Sequence, residues 1–131
     1  MDMQGGLRAR LLASAQVQAA AGTRIYWVQR PQTSALPAIT LQTISDGRPE
    51  HLKGQDGARE TRVQMDVWAA TYAAALSLAR AAIAAVTAPA VIDGKRFGNT
   101  RVDGQRDLGE DVNNTFVHRQ SVDLLIRHVG D

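Results

Sequence analysis

The sequence predicts an α+β fold: a mixed or antiparallel sheet with two helices packed on one face. Three observations lead there. A stretch from Arg62 to Trp68 alternates cleanly between apolar and polar residues, the mark of a half-buried strand. A stretch from Tyr72 to Val86 carries large apolar residues at steps of 4, 3, 4 and 3, the mark of an amphipathic helix. Strand-like and helix-like segments are partly segregated rather than strictly alternating, which separates α+β from α/β.

The first predicted element is a helix over residues 7–20. Leu7, Leu11 and Ala15 share a face, Arg8 and Arg10 lie off it, and Gly22 stops it. The β-branched and aromatic run 24–30 then predicts a strand ending at Pro31. Residues 31–37 read as a polar connector. Residues 38–45 alternate, with Ile39 and Leu41 on one face.

Residues 46–60 form the most polar segment: three Gly, one Pro, seven charges and a histidine. A long loop inside a compact domain is usually functional or disordered. Arg48, Glu50, His51, Lys53, Asp56 and Arg59 are therefore the candidate interface residues. Their charges are of both signs, which suits contact with a protein surface better than a grip on phosphates.

The strand 62–68 is expected to pair antiparallel with 38–45 across that loop. Thr71 is the expected cap of a helix to Thr87, with Tyr72, Leu76, Ala79, Ile83 and Val86 as its buried stripe. Residues 90–97 read as a tight hairpin turning on Asp93-Gly94, a favoured type I′ pair. Residues 98–114 suggest an irregular strand around 99–107 and a loop through Asn113-Asn114. Residues 115–129 read as a long closing strand, with Phe116, Val122, Leu124 and Ile126 on its even face.

The 131 residues suffice for one domain spanning 1–131. The apolar fraction is 44%, but much of it is alanine, so the core is expected to rest on a few larger residues, among them Trp27, Trp68, Tyr26, Tyr72, Phe97 and Phe116. A thin core favours oligomerisation. The absence of cysteine excludes disulfides, a thiol nucleophile and thiolate metal sites. No apolar run reaches the roughly 20 residues of a membrane span, and the start lacks signal-peptide features. The net charge of +2 arises from the first 40 residues, with four Arg against one Asp. No basic block of the kind that duplex-binding domains display follows.

The chemistry of a catalytic site is not visible. His118 and His128 lie roughly 33 Å apart if the last strand is extended, too far to share a metal, and all three histidines read as exposed. Asp107, Glu110 and Asp111, like Asp56 and Glu60, fall in arginine-containing polar stretches rather than in a dry cleft. There is no phosphate-binding or dinucleotide fingerprint and no nucleophile elbow. Trp27 and Trp68 could stack bases, but aromatics on strands more often serve core or interface. No enzyme activity, no catalytic residue, no cofactor and no metal are expected.

Three segments together resemble a known family. They are Leu7-Arg-Ala-Arg-Leu-Leu-Ala13; Arg24-Ile-Tyr-Trp27 running through Pro31-Gln32 and Leu36-Pro-Ala-Ile-Thr-Leu-Gln42; and Arg62-Val-Gln-Met-Asp-Val-Trp-Ala69 with Thr71-Tyr72 and the alanine-rich helix. In this order they resemble the tail-completion, or tail-terminator, proteins of long-tailed bacteriophages, prophages and gene transfer agents. Arg119-Gln-Ser-Val-Asp-Leu-Leu-Ile126 is similar to that family's last strand. The resemblance spans the chain except about 90–114. It departs where the family often places an aromatic and this sequence has Arg127-His128.

The resemblance implies a tail-terminator-like domain. It implies a structural virion protein that forms a ring, typically a hexamer, at the head-proximal end of the tail tube. Such a ring ends tube polymerisation and offers a surface for head–tail joining. The implied partners are further copies of the chain, the tail tube protein, a head–tail connector or stopper protein, and DNA passing through the lumen without sequence recognition. No membrane is involved. The implied location is the virion tail, after synthesis in the bacterial cytoplasm. The alternatives are a head-completion (stopper) protein of the connector or, from another class, a small cytoplasmic ligand-binding domain or enzyme. The alanine and arginine bias suggests a high-GC bacterial host.

Overall fold

The computed structural model describes residues 1–31, 35–47 and 57–130. It is an α+β protein, with helices α1 (Met3–Ala13), α2 (Ala15–Ala21) and α3 (Tyr72–Thr87). The strands are β1 (Ile25–Trp27), β2 (Ala38–Gly47), β3 (Ala58–Ala69), β4 (Ala90–Ile92), β5 (Lys95–Val112) and β6 (Thr115–Val129). They form one six-stranded sheet in the order β1-β2-β3-β6-β5-β4. Only β1 and β2 run parallel; every other pairing is antiparallel. The sheet is therefore mixed.

The first helical segment differs from its prediction. It starts at Met3, because the Asp2 carboxylate accepts from the Gly5 N–H at 2.7 Å and so caps an otherwise orphan donor. It breaks at Ser14, whose hydroxyl accepts from the Val17 N–H at 3.3 Å and starts α2. Among the described residues there are thus three helices, not two. Gly6 lies inside α1 because the helix passes close to Phe97. A Cβ at Gly6 would sit 2.8 Å from two carbons of that ring.

α3 keeps its predicted bounds and its cap, the Thr71 hydroxyl accepting from the Ala74 N–H at 3.1 Å. Its buried stripe matches the prediction only at Ala79 and Val86. Ala75, Leu78, Ala79, Ala82 and Val86 are buried, whereas Tyr72 is 45% exposed and Leu76 and Ile83 are only half-buried. Leu78 and three alanines, not Tyr72, Leu76 and Ile83, face the core with Val86, so α3 is rotated from the orientation expected.

The alternation in the central strands holds. Val63, Met65 and Val67 of β3 join Ile39 and Leu41 of β2 and Val122, Leu124 and Ile126 of β6 in one core with residues from all three helices. The predicted β2–β3 pairing is present, with Leu41 opposite Met65 and Ile39 opposite Val67. Of the six aromatic residues expected in the core, only Phe97 is buried. Tyr26, Trp27 and Trp68 are half-buried, and Tyr72 and Phe116 are exposed.

The β4–β5 hairpin turns on Asp93 and Gly94, both at positive φ (47° and 81°), as a type I′ turn requires. Residues 98–112 bear out the expected irregular strand, with register shifts between Phe97 and Thr100 and between Val102 and Gly104, and extend it. They continue β5 to Val112, and Asn113 and Asn114, at φ 50° and 66°, make a two-residue turn straight into β6. Asparagine tolerates this left-handed backbone better than most residues. From Arg101 to Val112 no β5 residue is buried, so this part of β5 is an exposed arm of the sheet, although Val117 and Gln120 of the β6 segment paired with it are buried.

Candidate functional site

On β3 the side chains opposite the core are Arg62, Gln64, Asp66 and Trp68. The register sets Trp68 opposite Arg119 of β6 and Ala38 of β2. Two guanidinium groups lie over the Trp68 ring: Arg30 and Arg119, each 5.0 Å from the centroid. Such cation–π contacts favour the electron-rich ring face. The indole N–H donates to the Thr40 hydroxyl at 3.0 Å, so the ring is fixed on its polar edge as well.

Beside it, Asp66 is buried apart from a small window, 8% exposed. One carboxylate oxygen accepts from the Gln64 side-chain amide at 3.0 Å and lies 4.0 Å from Arg119. The other has no hydrogen-bond partner among the described residues. Val28, Gln29 and Arg30 bound this trough on one side, and Glu110 and Val112 of the β5 arm on the other. Residues from opposite ends of the sheet line one concavity, so the sheet is curled.

The arm carries a second group. The Tyr72 hydroxyl donates to Asp107, 3.2 Å from each carboxylate oxygen. That hydrogen bond is the main cause of a raised Tyr72 pKa. His118 sits edge-on to both Tyr72 and Phe116, with ring centroids 6.0 Å and 4.8 Å away. The Phe116 ring packs against Gly109, where a Cβ would come within 2.4 Å of it. Tyr72 and Phe116 remain about half exposed.

A third group lies at the opposite end of β6 and corrects the reading of exposed histidines. His128 is 3% exposed. The Lys95 ammonium, which can only donate, lies 2.9 Å from its Nδ1 and 2.6 Å from the Val129 carbonyl. Nδ1 must then accept, so the ring proton sits on Nε2. Nε2–H donates to the Thr61 hydroxyl at 2.8 Å, and that hydroxyl donates to Asp46 at 2.9 Å. Asp46 is in turn bridged by Arg59. Burial, followed by the nearby Lys95 and Arg59 charges, lowers the His128 pKa from 6.5 to about 4. The chain of bonds ties together β2, β3, β6 and the turn end of the β4–β5 hairpin. It has the form of a structural clamp, beside a concavity lined by Arg59, Gly98, Arg127 and His128.

Of the predicted interface residues, Arg48, Glu50, His51, Lys53 and Asp56 lie outside the described residues. Arg59 is on β3, paired with Asp46 and donating to the Gly130 carbonyl at 3.3 Å. Asp46, Gly47 and Glu60, expected in the loop, are paired strand residues. Sequence reading missed the arm group and the clamp. Among the described residues, no three His, Asp or Glu side chains gather as metal ligands would, and no helix is long and apolar enough to cross a membrane.

The sequence matches the family described as tail completion protein gp17 over residues 5–127. No curated protein matches it. Thirteen chains of solved structures share its fold. One belongs to the virion of a native gene transfer agent (GTA) particle, at TM-score 0.71 and 19% identity, over 98% of this chain and 95% of that one.

Proposed function

We propose, from the premise that this chain belongs to the tail completion protein gp17 family and is thus a structural component of a virion tail, that it acts as a ring at the head-proximal end of the tail tube. The ring, of about six copies as is usual in the family, ends tube polymerisation and offers the surface on which the head is joined. DNA passes through its lumen without being read. Residues 1–131 act as one unit, and the protein works by assembly rather than catalysis. The family match over nearly the whole chain carries this reading.

The geometry supports it in two ways. The helices share one core with the face of the sheet that bears Val63, Met65 and Val67. We read them as a single layer over that face, which leaves the Trp68 face and the β5–β6 arm available to neighbours. The accessible groups are also those of a contact surface: paired arginines, half-exposed aromatics and hydrogen-bonded carboxylates. A ring needs a heterologous interface, one patch meeting a different patch on the next copy, and this chain presents unlike surfaces at the two ends of its sheet.

The test is to delete the gene in a particle-producing strain and to measure the native mass of the purified protein. Closed rings, with tails of uncontrolled length in the deletion, are expected. A persistent monomer and tails of normal length would reject the proposal. Tails of normal length that fail to join heads would move the ring one place headward, to a stopper.

A further inference from the structure

We propose that neighbouring copies join edge to edge: the outer edge of β5 pairs antiparallel with the outer edge of β2 in the next copy, giving a sheet continuous around the ring. This rests on the ring reading above and names the surface that builds it. The observation is an imbalance in the sheet. Its two outermost strands, β1 and β4, have only three residues each. β4 covers β5 at Lys95, Arg96 and Phe97 alone. β1 covers β2 at Ile39, Thr40 and Leu41 alone. Among the described residues, no strand pairs with the outer side of β5 over 98–112 or of β2 over 42–45.

A long unpaired edge is a row of backbone donors and acceptors that recruits another strand. Proteins guard such edges with proline, charges, β-bulges or a covering element, and β5 has a register shift between Val102 and Gly104. Residues 98–112 contain no proline, and this is most of an 18-residue strand. Alternating charges guard it only in part. Arg101 and Asp103 already satisfy each other at 2.7 Å.

The occupant follows from polarity and register. β2–β3, β3–β6 and β6–β5 are all antiparallel, so β5 runs opposite to β2. A second copy moved sideways, without being turned over, thus sets its β2 antiparallel to the first copy's β5. All copies then point the same way along the ring axis. The rows agree too. Ser45 lies in one row with Arg101, through Arg62 and Leu125, and Gln42 in one row with Gly104, through Gln64 and Asp123. Residues 42–45 of the second copy therefore fall opposite 101–104 of the first. That stretch of β2 is Gln-Thr-Ile-Ser. It brings no like charge against Arg101 or Asp103, which would weaken a cross-strand pair. Half-exposed Ile44 and Val102 both lie at this seam.

The chain has no cysteine, so introduced pairs report without background. Ser45→Cys in one copy would be mixed with Arg101→Cys, Gln105→Cys or Arg106→Cys in another, the three positions allowing for stagger. All four sites are exposed. A disulfide needs Cα atoms within about 7 Å. Mild oxidation should give covalent dimers from at least one mixture and none from either variant alone. A chain carrying both substitutions should give a ladder that stops at the ring's copy number. Native mass of the unmodified protein is measured beside it. Closed rings with no covalent product in any mixture would overturn the edge pairing and leave the ring standing. A monomer throughout would remove both.

Discussion

The Lys95 ammonium lies 2.9 Å from Nδ1 of His128, inside the protein. Two groups that both carry positive charge when protonated share one site, so the histidine must stay neutral.

Acid stability follows from that pairing. His128 takes a proton near 6.5 in the unfolded chain and only near 4 in the folded one. Between those values the unfolded state holds more protons, so stability rises with pH. The contribution is complete above pH 6.5 and is lost as pH falls toward 4, by roughly 3 kcal/mol at most. Denaturant midpoints across this range should show the loss. His128→Gln, which cannot titrate, should flatten the curve; an unchanged slope would show that His128 is not the group responsible.

Leu78, not Leu76, is expected to anchor α3. Leu78 is 2% exposed and Leu76 half-buried. Leu78→Ala should cost about 2–5 kcal/mol, the range for a buried leucine. Leu76→Ala should cost clearly less. Equal losses in urea unfolding would contradict the observed rotation of the helix.

Gly6→Ala is expected to destabilise despite alanine's advantage of about 1 kcal/mol within a helix. The added methyl would meet the buried Phe97 ring at 2.8 Å, and crowding of a packed core costs about 1–3 kcal/mol. Gly6→Ala combined with Phe97→Leu should recover part of the loss. A rise in melting temperature for the single variant would show that the ring yields freely.

For the segment 48–56 the expectation comes from its sequence, with Arg48, Glu50, His51, Lys53 and Asp56 as contact residues. Replacing it by a short Gly-Ser link should leave the fold intact, because loop length costs little. It should lower the yield of complete particles through over-long or unjoined tails. Normal yields would show that the segment has no part in assembly.

How much of this was legible in sequence depended on where each residue's environment comes from. Val63, Met65 and Val67 alternate because one face of β3 is buried, and Asp93-Gly94 announces its turn locally. The β5 residues 101–112 are exposed on both faces, so no alternation exists to be read and the end of the strand looks like a loop. In α3 three of the five buried positions are alanine, which carries little signal of burial, so the stripe through Tyr72, Leu76 and Ile83 stands out in the sequence although Leu78 is the leucine that is buried. His128 is buried by Lys95, Thr61 and Asp46, contributed by three other strands, and nothing near it in sequence signals that. Trp68 was half legible: its place on the non-core face follows from period two, but its two arginines come from 38 residues before and 51 after it.

The place of β6 has a consequence for synthesis on the ribosome. It follows every other strand in the chain, yet sits between β3 and β5. A nascent chain that has made everything before Thr115 can form the β2–β3 hairpin, but β3 then lacks its second neighbour and β5 pairs only with the short β4. Domains fold as units once their parts have emerged, and here the strand that completes the unit is made after all the others. A subunit broken off upstream of β6 would have neither a finished core nor the row alignment that edge pairing needs. It would be cleared as misfolded chain rather than built into a ring as a defective member.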